Sequence, residues 1–220
     1  MMPMNKKILL DVPYYSQRLD VKSKFWQSRA CGVVALAMAM DCLRFSPPYE
    51  GGVRRKAEGG IRKANILNLP KPLLRKPACR TGREGKTSVA FSVGQLIREG
   101  ASIGARDPKH GWIHDGLVTL AKRHGFKKSF RKEFPDSKKG EALSYMIVLL
   151  RREIPVLISI RAKSGGHLVL LVGFAPLDAK RLHGFYYHDP DSRSRKVGAY
   201  KFISTKNFLK IWKGRIVVVQ

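Results

Sequence analysis

The second half of the chain contains strand-like segments that follow one another with few helices between them, and this order restricts the fold. Apolar segments lie at 155–161 (PVLISIR) and 167–174 (HLVLLVGF), separated by AKSGG. Further strands are expected at 182–189, 199–203 and 215–219. Because helical patterns predominate in the first half, the chain is predicted to be α+β with a mostly antiparallel sheet, not a βαβ nucleotide-binding fold.

Helical spacing of apolar residues accounts for most of the first half. A helix is expected over about 28–45, with Ser28 as its N-cap. Three more helices are expected, at about 90–99, 113–124 and 140–152. Near the N-terminus, segment 8–15 is typical of an edge strand because Pro13 interrupts it.

The charge of the chain is strongly one-sided. There are 43 Lys and Arg against 16 Asp and Glu, a net charge of +27. Such an excess attracts polyanions, including nucleic acid and acidic peptides. Segment 50–87 is rich in Gly, Pro, Lys and Arg, so we interpret it as a basic irregular insertion within a single domain spanning 1–220. This insertion is either a solvated charged loop or an arm that binds a polyanion.

The cysteines and the apolar runs bear on cofactors and location. Cys31, Cys42 and Cys79 form no CxxC or Cys/His pattern, so neither a disulfide framework nor a metal site is indicated, and no cofactor is expected. The N-terminus does not have the pattern of a signal peptide, and no apolar run approaches the ~20 residues that span a bilayer. We therefore expect a soluble, cytoplasmic protein, and we assume a monomer.

Cys31 is the first candidate for chemistry. It begins the run CGVVALAMAM, in the first turn of the expected helix. The free N–H groups and the positive end of the helix dipole at that place favour an anion, which a thiolate would be. A lone cysteine also commonly packs as a small hydrophobic residue, so this segment leaves both interpretations open.

His167 and Asp189 are the second candidates, at the ends of two neighbouring strands. If 167–174 and 182–189 form an antiparallel hairpin with Phe174 opposite Leu182, His167 lies opposite Asp189. Opposed residues have Cβ atoms ~5 Å apart, within reach of an imidazole–carboxylate hydrogen bond. That bond would orient the ring towards a nucleophile.

Two neighbours of Asp189 were weighed as alternatives. Asp191 is the other possible orienting acid if a bulge changes the register. His188 should point to the opposite face of the sheet from Asp189, because side chains alternate along a strand.

Together these residues predict a Cys-His-Asp arrangement for thiol acyl transfer. Such chemistry also requires donors for the developing oxyanion. The Cys31 N–H is one, and the side-chain amide of Gln17 is the candidate for the other, with Gln27 as its alternative.

The motifs LDVPYYSQ, ACGVVALAMAM, GWIHDGLVTLAKRHGF, GGHLVLLVGF and YYHDPDS occur in this order. In this the chain resembles the stand-alone branch of the bacterial double-glycine (bacteriocin-processing) peptidase-like family, in the papain superfamily. The resemblance implies a papain-like fold in which Cys31 is the nucleophile, His167 the general base, Asp189 the orienting acid and Gln17 the oxyanion residue.

We therefore predict a cysteine peptidase that acts on a peptide or protein. An acidic substrate would complement the positive charge of the chain. Transpeptidase or deamidase chemistry stays open, because both share the acyl-thioester step. The alternative is a catalytically idle papain-like module that binds nucleic acid or another polyanion through its charge.

Overall fold

The computed structural model describes residues 6–45, 91–162 and 165–220. The basic insertion expected at about 50–87 and Cys79 lie outside these ranges, so polyanion binding through the insertion stays a prediction. In chain order the elements are β1 (Ile8–Leu9), α1 (Cys31–Phe45), α2 (Val93–Ser102), β2 (Arg106–Asp107), β3 (Gly111–Trp112), α3 (His114–Arg123), β4 (Phe130–Glu133), α4 (Lys139–Arg151), β5 (Val156–Ala162), β6 (Gly165–Pro176), β7 (Leu182–His188), α5 (Arg195–Gly198), β8 (Lys201–Ser204), α6 (Thr205–Ile211) and β9 (Trp212–Val218).

Seven of the strands in the described ranges form one sheet, and every pairing in it is antiparallel. The order is β4-β9-β5-β6-β7-β8, with β1 paired to β6 beyond the end of β5. This confirms the predicted α+β class. The expected strand over 8–15 is much shorter, since only Ile8 and Leu9 pair in β1. The β2–β3 hairpin and the short helix α5 were not predicted.

Helix α1 forms the centre of the core. Residues 33–40 have no exposed surface, and the helix packs mainly against β6. A helix that is apolar on all sides is one that is enclosed, which accounts for the run of Val, Ala, Leu and Met. The expected N-cap is wrong: Ser28 lies in a separate 3-10 turn, and α1 begins three residues later at Cys31.

The register of the β6–β7 hairpin also differs from the predicted one. Phe174 lies opposite Phe185, and Leu182 lies opposite Pro176. The reason is that β6 is longer than expected and carries two irregularities, one between Leu171 and Gly173 and one near its end. His167 therefore lies beyond the last β7 pair and is opposite Ile160 of β5.

None of the helices in the described ranges combines the length and the apolar composition that crossing a membrane would require.

Candidate active site

Cys31 is placed at the start of α1 by close packing around the next residue. A side chain at Gly32 would bring its Cβ within 2.7 Å of Trp112 Cβ, so only glycine lets β3 approach here. Trp112 Nε1 donates to the Arg29 carbonyl at 2.7 Å, which ties β3 to the segment before the helix. Cys31 is half-buried, whereas Cys42, three turns further along, is buried in the core.

His167 connects Cys31 to Asp189. Its Nε2 is 2.8 Å from Asp189 Oδ1, and the ring is close enough to Cys31 for that side chain to raise the pKa of His167. Because Nε2 is engaged with the carboxylate, Nδ1 is the nitrogen left to face the sulfur. Burial opposes the charged imidazolium, but the interactions with Asp189 and Cys31 outweigh it and raise the pKa of His167 to about 10.

The contact between His167 and Asp189 is present although the predicted register is wrong. At its end β7 pairs His188 with Leu170, so a continued ladder would put Asp189 opposite Val169, two residues from His167. A shift of two residues keeps side chains on the same face of the sheet. Diagonal neighbours on one face remain within reach of an imidazole.

Asp189 is held at all of its polar atoms. Its Oδ1 also accepts from the Asp191 backbone N–H at 3.1 Å, and its Oδ2 accepts from Lys201 Nζ at 2.9 Å. Its backbone N–H donates to the Gly198 carbonyl, and its carbonyl accepts from Tyr14 Oη at 2.7 Å.

These contacts keep Asp189 ionised. Burial favours the neutral acid, but the bonds from His167 and Lys201 prevail and hold the pKa of Asp189 well below its usual range. Sequence reasoning missed both Lys201 and Tyr14. The available signal for Lys201 was a lone cation in the strand segment AYKFI, which becomes meaningful only once β8 is paired with β7.

Gln17 lies against the same loop as Asp189. Its backbone N–H donates to the Pro190 carbonyl at 2.8 Å, and its Nε2 donates to Asp191 Oδ1 at 2.6 Å. The side chain is 2% exposed, and its Oε1 has no hydrogen-bond partner among the described residues. The amide is therefore fixed with one of its two N–H bonds on Asp191.

The alternatives weighed from the sequence lie elsewhere. Gln27 Nε2 donates to the Val21 carbonyl at 2.9 Å and so holds the loop before α1. Asp191 accepts from Gln17 and from Arg18 Nε rather than from His167. Asp189 is therefore the acid that the fold brings to His167.

His188 is buried and has its own partners. Its Nε2 is 3.1 Å from the Val12 carbonyl, and its Nδ1 accepts from the Tyr200 N–H at 3.0 Å. Those bonds fix the neutral tautomer with the proton on Nε2. Burial lowers the pKa of His188 to about 4, which suits a structural histidine.

The arrangement has the groups of a thiol acyl-transfer site. The Cys31 sulfur lies at a helix start, the His167 imidazole is next to it, and the ionised Asp189 carboxylate is bonded to the imidazole. Within the described ranges, no group of three His, Cys, Asp or Glu side chains is placed to hold a metal ion.

Comparison with known proteins identifies the family. Residues 9–215 match the model of the Peptidase_C39-like family. The chain belongs to that family. This makes it a papain-like cysteine peptidase, a hydrolase of peptide bonds, as predicted. No curated protein sequence matches this C39-like peptidase significantly.

One solved structure resembles this C39-like peptidase in fold, and a second matches it with a lower TM-score. A putative C39-like peptidase from Bacillus anthracis is 14% identical, with a TM-score of 0.56 over 98% of both chains. A double-glycine motif protease from an AMS/PCAT transporter, solved in complex with a leader peptide, is also 14% identical, with a TM-score of 0.46 over 100% of this chain and 99% of that one. The first of these likenesses agrees with the papain-like α+β fold.

Proposed function

We propose that this peptidase hydrolyses peptide bonds through Cys31 as nucleophile, His167 as acid and base, Asp189 as orienting acid and Gln17 as oxyanion donor. The observation that carries the proposal is the bridging position of His167. One ring nitrogen is bonded to Asp189 and the ring also contacts Cys31, an arrangement that a purely structural histidine does not require.

The reaction follows from these contacts. The Cys31 thiol gives its proton to His167, and the sulfur attacks the peptide carbonyl carbon, forming a C–S bond and a tetrahedral oxyanion. Collapse of this intermediate breaks the C–N bond, and the amine leaves with the proton that His167 gives up. Water then attacks the thioester while His167 accepts its proton. Breakage of the C–S bond releases the carboxylic acid, and His167 returns the proton to the Cys31 sulfur. Asp189 keeps the ring orientation throughout.

The oxyanion would be held by the Cys31 backbone N–H and by Gln17. Cys31 is the first residue of α1, and the first N–H groups of a helix have no partner within it. The Gln17 amide has two N–H bonds, and Asp191 occupies one of them, which leaves the second for the substrate. A single donor of this type contributes on the order of 10²-fold to the rate.

Alkylation by iodoacetamide near pH 6, mapped by mass spectrometry, tests the proposal without a known substrate. Cys31 should react at least tenfold faster than in the urea-denatured chain, where no imidazole is beside it. His167→Ala should abolish this advantage, and Cys42→Ala should preserve it because Cys42 is buried away from the site. If Cys31 reacts no faster in the folded protein, the triad is wrong and the idle binding module is favoured.

A further inference from the structure

Lys201 contacts the carboxylate oxygen of Asp189 that is not bonded to His167. As the first residue of β8 it pairs with Tyr187 of β7, two residues before Asp189. Residues two apart along a strand face the same way, so the lysine reaches Asp189 from the neighbouring strand. Its Nζ is 2.9 Å from Asp189 Oδ2, and the Asp189 side chain is only 19% exposed.

The two oxygens of the Asp189 carboxylate have different partners. Oδ1 accepts from His167 and from the Asp191 N–H, while Oδ2 accepts from Lys201. The backbone of Asp189 is already anchored by Tyr14 and Gly198, so rotation about the side-chain bonds is the remaining freedom. Among the described residues, the Lys201 ammonium is the group that restrains this rotation from the Oδ2 side.

We propose that Lys201 is a positioning residue of the site: by holding Asp189 Oδ2, it keeps Oδ1 directed at His167 Nε2. The expected effect of Lys201 on catalysis rests on the proposed function. The restraint on Asp189 does not, because it exists whether or not Cys31 attacks a substrate. The lysine acts through the aspartate and does not touch the reacting atoms.

Lys201 has two opposite effects on the pKa of His167, one through its charge and one through its hold on Asp189. Because these effects have opposite signs, the pKa measured without Lys201 tests the proposal. A cation beyond the carboxylate disfavours a charged imidazolium, so its removal alone would raise the pKa of His167. Loss of the restraint lets the carboxylate turn from the ring, which lowers that pKa. The other groups that face this cluster are Cys31 at the start of α1, Tyr14 of the N-terminal segment and Tyr187 of β7.

The experiment follows the His167 ring by NMR titration of 15N-histidine-labelled protein, using Lys201→Met, Lys201→Arg and the surface control Lys122→Met. In Lys201→Met we expect the pKa of His167 to fall from about 10, by less than it falls when the Asp189 carboxylate itself is replaced, and its Nε2–H to exchange faster. Cys31 alkylation near pH 6 should fall roughly tenfold to hundredfold, the scale typical of a displaced catalytic group.

Lys201→Arg should restore both readouts, because arginine also donates to a carboxylate oxygen. Urea unfolding first establishes that the Lys201→Met protein is folded. If the pKa of His167 then rises or does not change in this variant, the positioning role is overturned. If wild-type Cys31 lacks enhanced reactivity while the NMR changes occur as expected, the triad chemistry fails and the positioning role stands.

Discussion

Replacing Asp189 by Asn tests the link on which the triad depends. The pKa of His167, about 10 against an ordinary 6.5, means that Asp189 and Cys31 together outweigh the opposing effect of burial by roughly 5 kcal/mol, because one pKa unit is about 1.4 kcal/mol. One hydrogen bond to a charged group contributes about 1.5–3 kcal/mol of this. We therefore expect the pKa of His167 to fall by about one to two in Asp189→Asn.

The structure also predicts a fall in reaction rate for this variant. His167 and Lys201 contact different oxygens of Asp189, and an asparagine cannot keep both bonds because one of these two positions becomes an NH₂ donor. A loss of about 1.5–3 kcal/mol in the transition state corresponds to roughly a tenfold to hundredfold fall in the rate of Cys31 alkylation or of peptide hydrolysis.

Histidine NMR titration and alkylation rates near pH 6 measure the two effects. Asp191→Asn is the matched control: Asp191 lies two residues away, and its carboxylate contacts Gln17 and Arg18 instead of His167. An unchanged His167 titration in Asp189→Asn would refute the reasoning, because the carboxylate would then not stabilise the imidazolium. Equal effects in both variants would show a general loss of charge instead of a specific contact.

Three further outcomes are expected. Gln17→Ala should lower kcat/KM on a peptide about a hundredfold but leave Cys31 alkylation unchanged, because alkylation forms no oxyanion. Gly198→Ala should lower the free energy of unfolding in urea by about 1–3 kcal/mol, since the added Cβ would collide with Tyr14 Oη. The double variant with Tyr14→Phe should lose less stability than the two single variants added together. The pKa of His188 is about 4 in the folded protein and 6.5 in the unfolded chain. The contribution of neutral His188 to the free energy of unfolding is therefore present above pH 6.5 and is lost as the pH falls through 4. In unfolding measured against pH, His188→Gln should reduce this acid-induced loss by up to roughly 3 kcal/mol.

Much of the secondary structure follows from local pattern. Helices α2, α3 and α4 lie within a few residues of their expected positions, and β5, β6, β7 and β9 overlap the apolar segments. These elements are predictable because the spacing of apolar residues reports which face is buried. The start of α1 was misjudged because Ser28 has the chemistry of a cap, but the chain makes a 3-10 turn there first.

The hairpin register could not be predicted from its two strands alone, because one irregularity of β6 lies where a third strand, β1, packs against it. Gly173 lies against the carbonyl of Ile8, where a side chain would collide with β1, and a register irregularity occurs next to it. Pairing rules within β6 and β7 contain no information about that third strand. The predicted contact between His167 and Asp189 is nevertheless present. The register at this end of the hairpin differs from the predicted one by two residues, so both side chains stay on the same face of the sheet.

The candidates for nucleophile, base and acid were evident in the chain itself, since their chemical types stand out against apolar or turn-like surroundings. The wider environment of Asp189 depended on the folded structure. Lys201 and Tyr14 come from segments 12 and 175 residues away from Asp189 in the chain. Local sequence reports the chemistry of each residue, whereas the electrostatic field and the restraint at a buried carboxylate are sums over neighbours that only the packed sheet brings together.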